Sequence, residues 1–164
     1  MRAIGSNYSL NRQGASTVFK TFMDAALSEA RAAGARGEVP IGAVVVKDGQ
    51  IIAAAGNRTR ELCDPTAHAE VLAIREACRL ANSERLPGYD LYVTLEPCPI
   101  CAGTVSAARI ARLYYGAADP KSGGTLHGAR VFSHPQCHHI PEIYDGINAA
   151  ESEALLKTFF TQRR

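Results

Sequence analysis

The chain has 164 residues, 46% hydrophobic and 21% charged, with a net charge of +2. That describes one soluble globular domain able to bury roughly 70% of the surface its unfolded chain exposes, and excludes a polycation that holds nucleic acid by overall charge. Five cysteines with no secretory signal pattern point to a reducing, cytoplasmic setting, and the longest apolar runs, Val44 to Val46 and Ile51 to Ala55, fall far short of the ~20 residues of a membrane-crossing helix.

Residues 1–15, with Arg2, Arg12 and no acid, read as a disordered extension ahead of a single domain over 16–164. From Ser16 a helical period runs through Val18, Phe22, Met23, Ala26, Leu27 and Ala30, with Ser16 or Thr17 as the cap and an end near Gly34 to Gly37. Ile41 to Val46 and Gln50 to Ala55 read as paired antiparallel strands, because Asp48-Gly49 suits the positive φ angles of a tight hairpin. A second helix is marked by Val71, Ile74, Cys78 and Ala81, and Gly88 ends that region. Leu91 to Leu95 reads as a strand, followed by a helix to about Arg109 with Pro99 at its first position, where the missing N–H is not needed. Arg112 to Gly116 is another strand, 119–124 a loop, Ile140 to Tyr144 a short strand, and Ala149 to Phe160 an amphipathic helix. The alternation predicts an α/β layered sheet with helices on both faces.

Two segments carry the chemistry, Pro65-Thr66-Ala67-His68-Ala69-Glu70 and Glu96-Pro97-Cys98-Pro99-Ile100-Cys101. Each opens a helix. Cys98 and Cys101 share one face of a first turn, where the helix dipole and free N–H groups favour thiolate. With His68 they make three ligands suited to zinc, one ion per chain, with a fourth tetrahedral position left open. An open position is the mark of catalytic zinc, which lowers the pKa of bound water to about 7. Glu70 is then the proton carrier, although residues two apart on an ideal helix face nearly opposite ways, so His68 and Glu70 can meet only at an irregular helix entry or through the reach of Glu70. Alone, a Cys-x-x-Cys is often a redox pair or half a structural site, and a lone His at a helix start a polar cap; together and in this order the elements match the zinc deaminase signature. Cys78 reads as a core residue and Cys63 and Cys137 as loop residues, while His127, His134, His138 and His139 lack ligand spacing.

Over roughly Phe19 to Arg164 the chain resembles the bacterial tRNA-specific adenosine deaminases, in Glu38-Val39-Pro40-Ile41-Gly42-Ala43-Val44, Gly56-Asn57-Arg58, Asp64-Pro65-Thr66-Ala67-His68-Ala69-Glu70 and Leu91-Tyr92-Val93-Thr94-Leu95-Glu96-Pro97-Cys98. The resemblance implies a three-layer α/β/α cytidine-deaminase-like fold with a five-stranded mixed sheet, a homodimer, and hydrolysis of the wobble adenosine to inosine in the anticodon stem-loop of a tRNA, an arginine tRNA. It also implies that Asn57 and the backbone at Val39 and Ala69 grip the purine, that the loop with Asp119 and Lys121 meets flanking nucleotides, and that Phe160 and Arg163 face the anticodon. On their own, Asn57 and Asp119 equally suit turns and Arg163-Arg164 a helix end. Two alternatives share the motifs: a deaminase of a free base or nucleoside, of guanine or cytosine type, and a non-catalytic zinc or RNA-binding subunit.

Overall fold

The computed structural model describes residues 21–163. Two N-terminal expectations, the extension over 1–15 and the cap at Ser16 or Thr17, fall outside them. The first described helix, α1 (Phe22–Ala35), is capped instead by Thr21, whose hydroxyl accepts from the Asp24 N–H while the Asp24 carboxylate accepts from the Thr21 N–H. The apolar period extends past this point toward the N-terminus, but the cap belongs to the residue whose partner lies three positions on.

Strands β1 (Gly42–Lys47) and β2 (Gln50–Gly56) form the expected hairpin, with φ of 49° at Asp48 and 73° at Gly49. Helix α2 (Ala69–Ala81) ends on a left-handed Asn82. Strand β3 (Asp90–Leu95) leads to helix α3 (Pro99–Ala107), and strands β4 (Arg112–Ala117) and β5 (Glu142–Tyr144) precede helix α4 (Ala149–Thr161). The sequence pattern carries α3 on to about Arg109; that residue has φ of 60° and turns the chain away from the helix. A short 3-10 turn at Val131–Ser133, without a signal in the sequence, buries Phe132.

The sheet order is β2-β1-β3-β4-β5, antiparallel from β2 to β3 and parallel from β3 to β5, as the five-stranded mixed sheet requires. Central β1 is buried on both faces: Ala43 and Val45 join the α2 and α3 side of the core, Val44 and Val46 the α1 side. Strict alternation along one strand thus divides the interior into two layers. On the α1 side the register also lines up Tyr92, Tyr114 and Tyr144, stacked with ring centroids 4.3 and 4.8 Å apart. Gly42 sets how closely α1 approaches, since a Cβ there would lie 2.0 Å from the Ala26 carbonyl oxygen. No helix of the described residues is long and apolar enough to cross a membrane.

Candidate active site

Helices α2 and α3 begin with the same irregularity. His68 is the N-cap of α2 and Cys98 the N-cap of α3, both in extended conformation and neither making the side-chain bond that a capping residue normally makes to its own helix. Each side chain is thereby free to point elsewhere. The His68 Nδ1 lies 3.5 Å from the Cys98 Sγ and 3.4 Å from the Cys101 Sγ. Two such ligands on one tetrahedral zinc stand about 3.6 Å apart, given usual Zn–S and Zn–N lengths. The donor set and its spacing therefore fit the ion. Among the described residues this is the one His, Cys, Asp or Glu group of that kind, and the late histidines form no second one.

The entry irregularity also resolves the difficulty of His68 and Glu70. With His68 outside the helix at ψ of 151°, Glu70 in the first turn shares its side of the site. The Glu70 carboxyl is 4% exposed and meets the Cys101 thiol. Burial pushes its pKa up to about 7, and the negative charge of Cys98 adds to the rise. Hydrogen bonding with Cys101 holds the Cys98 thiol down at about 4, assisted by His68, and the same pairing pushes Cys101 up. The pairing thus favours the thiolate form at Cys98, beside a buried carboxyl whose pKa is pushed upward.

Known proteins are similar to the chain around this cluster. Residues 16–117 match the family described as the cytidine and deoxycytidylate deaminase zinc-binding region. A tRNA-specific adenosine deaminase of Agrobacterium fabrum is 60% identical over 143 residues, which is 87% of this chain and 94% of the relative. The chain belongs to the tRNA-specific adenosine deaminase family. A tRNA:A34 deaminase solved in a study of A-to-I editing at the wobble position of transfer RNA superposes on this family member with a TM-score of 0.81 at 61% identity, covering 82% of this chain and 98% of that one. A guanine deaminase of Bacillus subtilis superposes with a TM-score of 0.61 at 32% identity, covering 90% and 94%. The deaminase is thus a zinc enzyme, its metal held by His68, Cys98 and Cys101.

Beyond the ligands, the deaminase places Asn57 at 5% exposure with its amide donating to the Glu38 carboxylate at 3.3 Å. Glu38, which opens the segment running to Val44 but to which the sequence assigns no role, is itself buried and accepts from the N–H groups of Arg60 at 3.0 Å and Glu61 at 2.8 Å. Ala69 is buried as the first residue of α2, and Val39 is half-buried between Glu38 and β1. Asp119 accepts from the N–H groups of Lys121 and Ser122, a loop-closing role, with Lys121 exposed. Phe160 is 53% exposed at the end of α4, and Arg163 beyond it lies over the Phe159 ring at 4.1 Å.

A second buried carboxylate stands at the head of the ligand segment, where the sequence gives it no role of its own. Glu96, between β3 and the ligand turn, is buried and accepts from the N–H groups of Asp119, Thr125, Leu126 and His127 and pairs with the His127 ring at 2.7 Å. Burial alone would raise its pKa; the donors at Asp119 and His127 outweigh that and hold it below the ordinary 4.5. Its stabilising contribution is therefore complete above pH 4.5 and fades as the pH falls through the depressed value. The loop it gathers lies against the ligands, since the Gly124 N–H donates to the Pro97 carbonyl and a Cβ on Gly124 would sit 2.6 Å from the Pro99 nitrogen. Replacing Glu96 with alanine removes the acceptor of four backbone N–H groups, that of buried Thr125 among them, at a cost of about 2–4 kcal/mol. Calorimetry should show Glu96→Ala melting roughly 4–16 °C below the parent; an unchanged melting temperature would mean the loop is held by other groups.

Proposed function

We propose that this deaminase converts adenosine to inosine at the wobble position of a tRNA anticodon, with an arginine tRNA as the substrate. The observation that carries the reading is the 60% identity to a tRNA-specific adenosine deaminase over 94% of that protein's length, joined to a His68, Cys98 and Cys101 cluster beside a buried Glu70. When bound, zinc acts as a Lewis acid that makes water acidic enough to attack at neutral pH.

Glu70 performs the proton transfers. Its carboxylate takes a proton from the attacking water and delivers it to N1 of the adenine as the oxygen adds at C6. It then carries the second proton to the amino group, which leaves as ammonia while C6 becomes a carbonyl. One water is consumed and one ammonia released. Glu38 orients the Asn57 amide through its hydrogen bond, leaving that side chain's carbonyl oxygen available to a purine edge, with the backbone at Val39 and Ala69 beside it. The loop holding Asp119 and Lys121 and the end of α4 with Phe160 and Arg163 receive the flanking nucleotides, a division of labour in which phosphate contacts position and the pocket selects.

The chain works as a homodimer in this reading. Ile100, 50% exposed on α3, and Leu126, 43% exposed on the adjacent loop, are apolar groups suited to a second copy, and sedimentation should give the mass of two chains. The guanine deaminase likeness keeps a free base as the competing substrate, and the assay separates the two. A stem-loop bearing an ACG anticodon should yield inosine, while free guanine, cytosine and adenosine should be left unchanged. Efficient turnover of a free base would reverse the assignment.

A further inference from the structure

Beside Glu38 the surface opens into a cleft of about 650 Å³ lined by Arg36, Gly37, Glu38, Arg60, Glu61 and Arg163. Its three guanidinium groups come from three separate places in the chain: the C-cap of α1, the loop after β2, and the residues just past α4. Gly37 forms part of its lining at φ of 85°, and a Cβ there would lie 3.2 Å from Arg163 Nη2. A larger residue at this position would crowd that guanidinium.

The acids of the cleft are already engaged. Glu61 is bound in a fork by Arg58 at 2.9 and 2.7 Å, with Arg36 at 3.6 Å. Glu38 turns one oxygen to the N–H groups of Arg60 and Glu61 and the other to Asn57 and Thr59. The Arg60 guanidinium donates to the Gly37 carbonyl, at 3.3 Å, and the Arg163 guanidinium rests on the Phe159 ring. Among the described residues neither has a carboxylate in ion-pair range. Two exposed guanidinium forks thus line a polar cleft without a carboxylate partner among the described residues, and such forks match the geometry of a phosphate.

We propose that Arg36, Arg60 and Arg163 form a binding site for a backbone phosphate of the RNA substrate, set against the outer side of the Glu38 and Asn57 pair. It rests on the reading that an RNA is the substrate. Glu38 joins the two regions physically: one carboxylate orients the amide that would meet the base and fixes the backbone of the loop that presents Arg60. A nucleotide whose base reaches Asn57 therefore has its neighbouring phosphate within the cleft, and that phosphate adds affinity without reading sequence.

The test is binding of the ACG stem-loop by fluorescence anisotropy between 50 and 200 mM KCl. Removing the groups that hold one phosphate should reduce the slope of log affinity against log salt by about 0.7 and weaken binding about fivefold. The double variant Arg60→Ala with Arg163→Ala, and Arg36→Ala separately, should show that change with zinc content intact; all three residues are exposed, so folding is preserved. Arg79→Ala, which removes an arginine paired with Glu76 on α2, should bind like the parent. Slopes and affinities in the cleft variants equal to the parent's would overturn the proposal. Because anisotropy reads binding and not turnover, a salt-sensitive weakening in the variants together with no inosine from the parent would support the cleft and sink the deaminase reading. A parent that does not bind the stem-loop would sink both.

Discussion

Glu70→Gln should leave one zinc per chain and a folded protein while lowering turnover of the stem-loop about 1,000-fold. Glutamine keeps the volume and planar shape of a side chain that is 4% exposed, so packing against the ligand turn survives. What it loses is the ability to take up a proton and give it back. General acid–base groups contribute about 10²–10⁴-fold, and in the proposed mechanism Glu70 carries both transfers, which places the loss well inside that range. Inosine formation by chromatography and zinc by atomic absorption measure the two halves separately. A variant that retained parental turnover would remove Glu70 from the mechanism, and one that lost both zinc and turnover would mean that the carboxyl serves the metal site and not the protons. The same pair of measurements discriminates against a non-catalytic zinc subunit, for which neither the parent nor the variant would form product.

The parts of this site that can be read from the sequence are those whose partners lie close along the chain. Asp48-Gly49 announces a hairpin, Pro99 a helix start and Cys98 with Cys101 a single helical face, because each depends only on local backbone geometry. Glu38 and Glu96 cannot be read in that way. Glu38 holds Asn57 and the N–H groups of residues 60 and 61, and Glu96 gathers donors from 119 to 127, so both meet their partners only after the sheet has brought distant loops together. In the sequence each is an acid near a proline, a pattern usual on solvated surfaces. A faint signal exists for Glu96, since it stands directly between an apolar strand and the ligand turn, where the chain is entering the interior. The cleft arginines are obscured for a related reason: Arg36, Arg60 and Arg163 are ordinary singly and gain meaning from their convergence on Gly37. Helix boundaries depart from the sequence pattern where capping chemistry overrides the apolar period, as at Thr21, and on α2 the buried position is Ala77 while Ala81 is exposed.

Cys98→Ala should lose its zinc and melt at the temperature of the chelator-treated parent. The ligands sit on the N-termini of two different helices, with His68 opening α2 and Cys98 and Cys101 opening α3, so the bound ion ties together two elements whose sequence separation is about 30 residues. A ligand that binds only the folded state stabilises it by about 4 kcal/mol when present at a thousandfold above its dissociation constant, equivalent to roughly 8–16 °C in a domain of this size. Stripping the parent with a chelator should lower its melting temperature by that amount. Removing the Cys98 sulfur leaves one thiol and one imidazole, too few to hold the ion against a chelator, while the small side chain at a half-buried N-cap costs little packing. The variant should therefore melt low with or without chelator, and this insensitivity separates loss of the metal from a general loss of stability. Calorimetry with and without chelator, alongside metal analysis, gives both numbers. If Cys98→Ala kept stoichiometric zinc, or if its melting temperature still fell on chelation, the ion would have to be held by other atoms, and the arrangement that lets Glu70 work beside it would have to be abandoned.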